Sequence, residues 1–436
     1  MSLSYHRLPT SALVALAAGG GGGDVIRRLA DAQYSKHLVL LRGVLSAAQE
    51  SGHPQAAEAA HAYDLLAAAQ RQDPTTAKTV IGHPAVGAWA LHTVRALRGG
   101  TPKPGAEPRG LCAVAAAAAM RTGLPADIEV RAAGGAVVLP SLGTALVNSG
   151  PVVLRATGGT AEITSAGRRI QVPADPHQDG PGWLAVRQIS VGPLRVLVDD
   201  SDPFRMPAVP DLAPRLDASE VGEWEAAFQA AWRLLRRHHP AVAEEAAAAI
   251  RVIVPIARPP HGQRSSSSAE TFGAIALSQP RDVAVLAETM IHEVQHLKLC
   301  ALADLVALTR RDDGRRFYAP WREDPRPVSG LLQGSYAYLG VSRFWRQQRH
   351  LAQGEAGIRA HAEFARWRAA AAAATATLAG SGQLTPAGAE FARGMARTLG
   401  AWQGEPVPEE SLALARREAD EHLARWISAH GPTPPW

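Results

Sequence analysis

Apolar residues are spaced in different ways along three stretches of the chain. Over residues 24–97 and again over 111–122 they recur at intervals of three and four, which predicts amphipathic helices. Over residues 128–198 short segments alternate between apolar and polar residues and are separated by glycine-containing turns, which predicts a meander of about six strands. Beyond residue 217 the helical spacing returns. It is interrupted by the apolar strand RVIVPIA at 251–257 and by a short strand before Pro280.

These stretches predict an α+β fold with three domains in chain order. We expect a helical N-terminal domain over residues 1–105, a β-rich domain over 106–205 and a helical C-terminal domain over 206–436. A chain of 436 residues is too long for one hydrophobic core. The Pro- and Gly-rich segments 101–110 and 199–217 are natural connections between such domains.

Composition narrows the classes of protein that need to be considered. With 46% hydrophobic and 19% charged residues the chain is typical of a globular protein. The formal charge of +5 comes from arginines spread along the chain without a basic block, so we do not expect a nucleic-acid partner. No apolar run reaches the roughly 18 residues that a membrane span needs, so we do not expect a membrane partner either.

The cysteines and the N-terminus favour a cytoplasmic protein. Cys112 and Cys300 both lie in apolar, helical surroundings, which favours small core residues over a disulfide or metal ligands. The segment SALVALAAGG is similar to the apolar part of a signal peptide. It has only a weak basic region before it, however, and continues directly into an amphipathic helix.

The stretch MIHEVQHLKL carries an HExxH motif inside a predicted helix over residues 282–309, with Asp282 as its N-cap. On a helix, His292 and His296 project from one face about 5–6 Å apart at Cβ, so both can bind one metal ion. Glu293 points elsewhere, toward a water or substrate held on that metal. The alternative is a core helix whose histidines are satisfied by hydrogen bonds.

The motif supplies two ligands, and a divalent metal needs at least a third. Candidates from the sequence that follows are Glu323, Asp324 and Gln333. Gln333 lies in GLLQG on the next predicted helix, and a neutral amide is a poor zinc ligand. Its alternative role is that of a glutamine on a helix surface.

Two further segments are candidates for binding smaller groups. Arg322 and Arg326 in WREDPRP can each form a fork with a carboxylate, whether from an oxo-acid cosubstrate or from an acidic side chain, or can pair with neighbouring acids instead. The segment RSSSSAETFGAIALS, with Ser267, Ser268 and Phe272, could form an edge strand that binds an extended peptide, or could be a flexible loop.

Taken together, these segments resemble the HExxH-motif proteins and fused domains encoded beside precursors of ribosomally synthesised, post-translationally modified peptides, often next to radical-SAM maturases. The resemblance covers nearly the whole chain. The segments that carry it are SKHLVLLRG, HPAVGAWAL, AAAAAMRTGLPADIEV, VVLPSLG, DDSDPFRMP, RLDASEVGEWEAAFQAAWRLL, SSSSAETFGAIALS, AETMIHEVQHLKLCALADL and, most specific, YAPWREDPRPVSGLLQGSYAYLGV.

This resemblance implies an iron(II)- and 2-oxoglutarate-dependent β-hydroxylase that acts on Asp, His or Asn side chains of a precursor peptide. His292 and His296 would bind iron, and Gln333 would be the third ligand, although the family more often has His there. Arg322 or Arg326 would bind the distal carboxylate of 2-oxoglutarate. The β-rich part would help to hold the precursor, and a radical-SAM maturase is a possible partner.

Two other functions are compatible with the same residues. A zinc metallopeptidase would cleave the precursor or its leader, with Glu293 as the general base. A non-catalytic accessory protein would bind the precursor and use the metal structurally. Glu293 separates these alternatives, because in an oxygenase it would orient a ligand or bind iron itself.

Overall fold

The structure, a computed structural model, describes residues 6–148, 150–192, 194–260, 262–280 and 282–431. These residues form 13 helices and 12 strands arranged in three sheets, which confirms the α+β class. None of the helices in these ranges combines the length and the apolar character needed to cross a membrane. The helices are α1 (Thr10–Ala17), α2 (Gly22–Glu50), α3 (Ala56–Gln72), α4 (Pro74–Ile81), α5 (Pro84–Leu97), α6 (Gly110–Thr122), α7 (Ala218–His238), α8 (Pro240–Ala249), α9 (Val283–Ala303), α10 (Val328–Gln348), α11 (Gly354–Gly380), α12 (Pro386–Gln403) and α13 (Glu409–His430). The strands are β1 (Ala126–Ala132), β2 (Ala136–Leu139), β3 (Gly143–Leu146), β4 (Gly150–Thr157), β5 (Thr160–Ser165), β6 (Arg168–Gln171), β7 (Trp183–Ala185), β8 (Arg187–Val191), β9 (Leu194–Val198), β10 (Val252–Pro255), β11 (Ser265–Ser266) and β12 (Ala274–Leu277).

The chain divides into two compact units, and each unit is built from separated parts of the sequence. Among the described residues, the first unit comprises 30–226 and 250–280, and the second comprises 6–29, 227–249 and 282–431. The predicted boundaries after residues 105 and 205 therefore both fall inside the first unit.

In the first unit, helices and strands bury their apolar faces together in one large core, and a smaller core lies around β10 and β12. The alanine-rich helix α6 is buried nearly all round, with the alanines of 115–119 fully inaccessible. It packs against α3 and α4 on the helical side and against β1, β2 and β4 on the strand side. A predicted boundary placed just before α6 would have cut through this core.

The strands of the first unit form three sheets, whereas the sequence predicted one meander of about six strands over residues 128–198 and two separate strands after residue 250. β1-β4-β5-β6 is an antiparallel sheet, β2-β3-β7 is a second, and β11-β12-β10-β9-β8 is a mixed sheet. Alternating burial along β1 and β4 explains why this part of the chain was recognised as β. β7 and β8 follow one another along the chain but belong to different sheets, so the strands do not form one continuous meander.

In the second unit, the turn between α1 and α2 is fixed by polar side chains of α9 and α10. The Gly19 carbonyl accepts hydrogen bonds from Gln295 Nε2 and Lys298 Nζ, both at 3.2 Å, and from Arg343 Nη1 at 3.1 Å. Lys298 is buried and also forms a 2.8 Å ion pair with Glu245 of α8. Removing one partner of such a pair leaves an uncompensated buried charge. These contacts therefore hold Gly19 and Glu245, which are distant in sequence, against α9.

Candidate metal centre

Helix α9 begins as predicted and carries the whole HExxH motif. The Asp282 side chain accepts a hydrogen bond from the Val285 N–H at 2.9 Å, which satisfies one of the free N–H groups of the first turn. The helix ends at Ala303, about one and a half turns before the predicted end at residue 309. His292, Glu293 and His296 all lie well inside it.

The two histidines converge on one point. Their Nε2 atoms are 3.1 Å apart and their ring centroids 4.8 Å apart. Two imidazole nitrogens bound to one metal at about 2.1 Å lie about 3.0–3.4 Å apart at tetrahedral or octahedral angles, so this separation fits a shared ion. Burial, together with repulsion from His296, lowers the pKa of His292 to about 4. His292 is therefore neutral at physiological pH, the state in which imidazole binds a metal.

Gln333 determines which nitrogen of His296 carries the proton. Its Oε1 lies 3.0 Å from His296 Nδ1, while its Nε2 donates to Cys300 Sγ at 3.5 Å. Because Oε1 can only accept, Nδ1 carries the proton and Nε2 keeps its lone pair directed at His292. In this geometry Gln333 orients His296, and the ligand role expected from the sequence would require a different side-chain position. Cys300, expected in the core, is only partly buried, while Cys112 is buried as predicted.

Glu293 is almost completely buried, with 1% of its surface exposed. Its negative charge raises the pKa of His292, against the larger opposing effect of burial. It also contributes to the raised pKa of Tyr338, after burial and the charge of Glu288. Glu293 is therefore close enough to His292 and Tyr338 for its charge to act on both.

Three aromatic side chains form a wall beside His292. The Tyr338 ring meets the His292 ring edge-on at 5.3 Å between centroids. Trp321 stacks on Tyr338 at 4.8 Å, and Trp367 of α11 lies 4.3 Å from the same ring. Such a wall reduces the access of water to His292 and strengthens electrostatic interactions there.

The two glycines of GLLQG allow the preceding loop to approach α10. A Cβ on Gly334 would lie 2.3 Å from Trp321 Nε1, and a Cβ on Gly330 would lie 2.9 Å from Arg326 Nε. The loop closes on itself through two backbone hydrogen bonds between Phe317 and Arg326. The GLLQG motif therefore packs against the preceding loop and also contains Gln333.

Arg322 and Arg326 both pair with the same carboxylate. Arg322 Nε is 2.6 Å and Arg326 Nη1 is 3.0 Å from Asp324, which was itself a candidate third ligand. The side chain of Arg322 is 51% exposed and that of Arg326 is 32% exposed. Arg326 Nε is buried beside Gly330 of α10 and has no hydrogen-bond partner among the described residues.

A pair of carboxyl groups near the histidines was not found from the sequence. Glu288 lies one turn before His292 on α9, and Glu363 lies on α11. Burial raises the pKa of Glu288 to about 8, and the charge of Glu363 adds to the shift. The spacing of four between Glu288 and His292 was the available signal, since residues four apart share a helix face.

Ser267, Ser268 and Phe272 belong to the first unit. β11 is indeed an edge strand, but it has only two residues and pairs with β12. Ser267 and Ser268 follow it in a loop, where Ser268 Oγ accepts a hydrogen bond from Glu270 N at 3.2 Å. Phe272 is 5% exposed and is a core residue, so a direct contact with a peptide is not available to it.

Within the described ranges, no group of three or more His, Cys, Asp or Glu side chains is arranged to hold a metal ion. The structure thus brings together His292, His296 and Gln333, and places Asp324 in ion pairs with arginines. Glu323 contributes its backbone carbonyl to His430 at 2.6 Å.

Comparison of the chain with protein-family models and with curated proteins gives no match.

Proposed function

We propose that this chain is an iron(II)- and 2-oxoglutarate-dependent β-hydroxylase of a ribosomally synthesised precursor peptide, acting in the cytoplasm. The observation that carries the proposal is the pair of Nε2 atoms of His292 and His296, 3.1 Å apart, with Gln333 holding the proton on the far side of His296. The sequence resemblance supplies the reaction type and the substrate class.

Each residue has a defined part in this proposal. His292 and His296 would hold iron through Nε2, and the bound iron would supply the oxidising chemistry that inserts oxygen into a C–H bond. Gln333 keeps the lone pair of His296 directed at the shared point. Arg326 would release its ion pair with Asp324 and bind the distal carboxylate of the cosubstrate instead. Trp321 and Tyr338 would restrict the access of water to the histidines.

A direct test uses the purified protein and the peptide encoded by a short reading frame beside its gene. Aerobic incubation with iron(II) and 2-oxoglutarate should add one oxygen atom to the peptide, as detected by mass spectrometry. His292→Ala and His296→Ala should each lose iron and activity together. His350→Ala, at an exposed position just after α10, is the matched control and should retain both. Full turnover without oxygen and 2-oxoglutarate would exclude the hydroxylase.

The zinc metallopeptidase is the second candidate because the buried Glu293 directly follows His292 in the HExxH motif, where a general base would stand. In a peptidase, Glu293→Gln removes the general base, so cleavage of the peptide should be lost while zinc stays bound. Cleavage by the unaltered protein with zinc alone would favour this candidate. An unchanged peptide under both sets of conditions would favour the accessory protein.

A further inference from the structure

The first unit contains a cavity of about 520 Å³ whose wall carries four cationic side chains. Lys78 comes from α4, Arg121 from the last turn of α6, Arg195 from β9, and Arg251 from the residue before β10. No aspartate or glutamate is found among the lining residues that the structure describes. Four positive groups facing one space favour binding of an anion.

Arg251 is the most enclosed of these cations. Its Nη1 lies 3.0 Å from the position of a Cβ on Gly82, so the guanidinium lies against the junction between α4 and α5. Burial lowers the pKa of Arg251, against the opposing charge of Asp31. Asp31 already forms a 2.6 Å ion pair with Lys78. An anionic ligand would therefore offset the desolvation of Arg251.

Two buried polar side chains that line the cavity have no hydrogen-bond partner among the described residues. His83 and Ser141 are only 3% and 4% exposed, and neither the His83 ring nitrogens nor Ser141 Oγ is bonded. His83 Nε2 is 3.8 Å from Asp199 Oδ2, which is too far for a hydrogen bond. Ser141 also has a φ of 68°, a left-handed conformation that costs energy in a residue other than glycine. Such buried groups need a hydrogen-bond partner, which a ligand in the cavity would supply.

Arg121 is held in position by a histidine on the same wall. The His177 Nδ1–H donates to the Val186 carbonyl at 2.7 Å, so its Nε2 is free to accept from Arg121 Nη1 at 3.2 Å. The remaining N–H groups of the guanidinium fork stay available as donors. Arg121 is thus oriented by a hydrogen bond to a neutral group, while the charge of Asp175 also acts on it.

The helix α5 begins at the same cavity. Its N-cap is His83, whose side chain makes no capping hydrogen bond, and the helix runs for 14 residues. The positive end of its dipole therefore adds to the four cations on the wall.

We propose that this cavity is a binding site for a phosphorylated small molecule, with its phosphate groups held by Arg251, Arg195 and Lys78. Lys78 is already paired with Asp31, but the three arginines offer more donors than a single carboxylate needs, and their guanidinium forks match the oxygens of a phosphate. Ser141 and His83 would add hydrogen bonds to the same group. The volume fits a ligand of about nucleotide size. This site is independent of the proposed hydroxylase function.

The test is calorimetric titration of the full chain with inorganic pyrophosphate. Saturable binding at one site per chain is expected, weakening as salt is added because the charges are screened. Arg251→Ala and Arg195→Ala should each weaken binding about tenfold or more, since each removes charge-assisted hydrogen bonds. Arg169→Ala, on β6 of the same unit with 74% of its side chain exposed, is the matched control and should bind as the unaltered chain does.

Arg195 is exposed on β9, so its variant keeps the test valid if Arg251→Ala fails to fold. Absence of saturable binding at millimolar pyrophosphate would overturn the proposal. So would binding that neither arginine variant weakens. Citrate is the second ligand: tighter binding of this polycarboxylate than of pyrophosphate would overturn the phosphate assignment.

Discussion

Gln333 sets the tautomer of His296 without adding a charge. The amide oxygen fixes the proton on Nδ1 of His296 and leaves the lone pair on Nε2. Cys300 fixes the amide in turn by accepting from its Nε2. The orientation of His296 on α9 therefore depends on Gln333 of α10.

Replacing Gln333 with leucine should therefore weaken metal binding without removing a ligand. Loss of the acceptor lets His296 adopt the wrong tautomer, and the loss of such an orienting partner typically costs about 10- to 100-fold in affinity. Titration with cobalt(II) measures the affinity, and the cobalt absorption spectrum reports the number of ligands. We expect weaker binding with an unchanged spectrum.

Gln333→Glu is the matched control, because a carboxylate still accepts from Nδ1 and should preserve affinity. A spectrum that changes in Gln333→Leu in the way expected for one ligand fewer would instead support direct coordination by Gln333.

Glu288 makes the stability of the protein depend on pH. Its pKa is raised from 4.5 to about 8 in the folded chain, first by burial and then by Glu363. Between these two values the folded state holds a proton that the unfolded state has lost, so stability falls as the pH rises through about 8. Glu288→Gln cannot lose this proton. It should be close to the unaltered chain in stability at pH 5 and more stable by about 3–4 kcal/mol at pH 8.

Chemical unfolding of both proteins across this pH range measures the difference. Glu410→Gln, at an exposed position on α13, is the control and should show no such trend. A stability difference that shrinks as the pH rises would contradict the assigned shift.

At the scale of elements, the loop before α10 packs against the glycines of that helix. Gly334 lets Trp321 lie against the helix, and Trp321 in turn stacks on Tyr338 beside His292. The order of the loop near the histidines therefore depends on the absence of a side chain at one helical position.

Gly334→Ala should displace Trp321 despite the better helix propensity of alanine. The added Cβ would lie 2.3 Å from Trp321 Nε1, so the ring must move, at a cost of about 1–3 kcal/mol. Thermal unfolding measures the loss, and a red shift of tryptophan fluorescence is expected as Trp321 becomes hydrated.

Gly400→Ala on α12 is the matched control, since nothing lies within 4 Å of its Cβ position. This variant should gain about 0.5–1 kcal/mol from helix propensity alone. Equal gains in both variants would show that Trp321 does not need the space.

At the scale of the whole molecule, local patterns predicted elements well and their grouping poorly. Periodicity identified α9 and α10, and the cap at Asp282 was correct, because these features depend on neighbouring residues. The motif spacing brought His292 and His296 together for the same reason. Contacts between distant segments have no local signature in the sequence. The packing of Trp321 and Trp367 on Tyr338 beside His292 was therefore not predicted.

The division into units could not be predicted because it depends on such distant contacts. α1 and α8 join α9 in the second unit through Gly19 and Glu245, and these residues reach α9 only once the chain has folded. The Pro-rich segment 199–217 is a plausible boundary by composition, yet it lies within the first unit.

A fragment of residues 206–436, the C-terminal domain predicted from the sequence, should therefore not fold alone. It lacks α1 and the Gly19 carbonyl, so Gln295 and Lys298 lose acceptors while they remain buried. Each such loss costs about 1–3 kcal/mol, a large fraction of the stability of a domain. Circular dichroism should show no cooperative thermal transition for this fragment.

Coexpression with residues 1–205 should restore a cooperative complex, because the missing helix and turn are then supplied in trans. Gly19→Val in the shorter fragment is the matched test of that turn. Gly19 has a φ of 82°, and its Cβ would lie 2.9 Å from Leu339 Cδ2, so valine is excluded both by conformation and by space. The complex should then be less stable than the one with glycine. If the 206–436 fragment alone unfolds cooperatively at the temperature of the full chain, the second unit does not need the N-terminal segment and the division into discontinuous units is wrong.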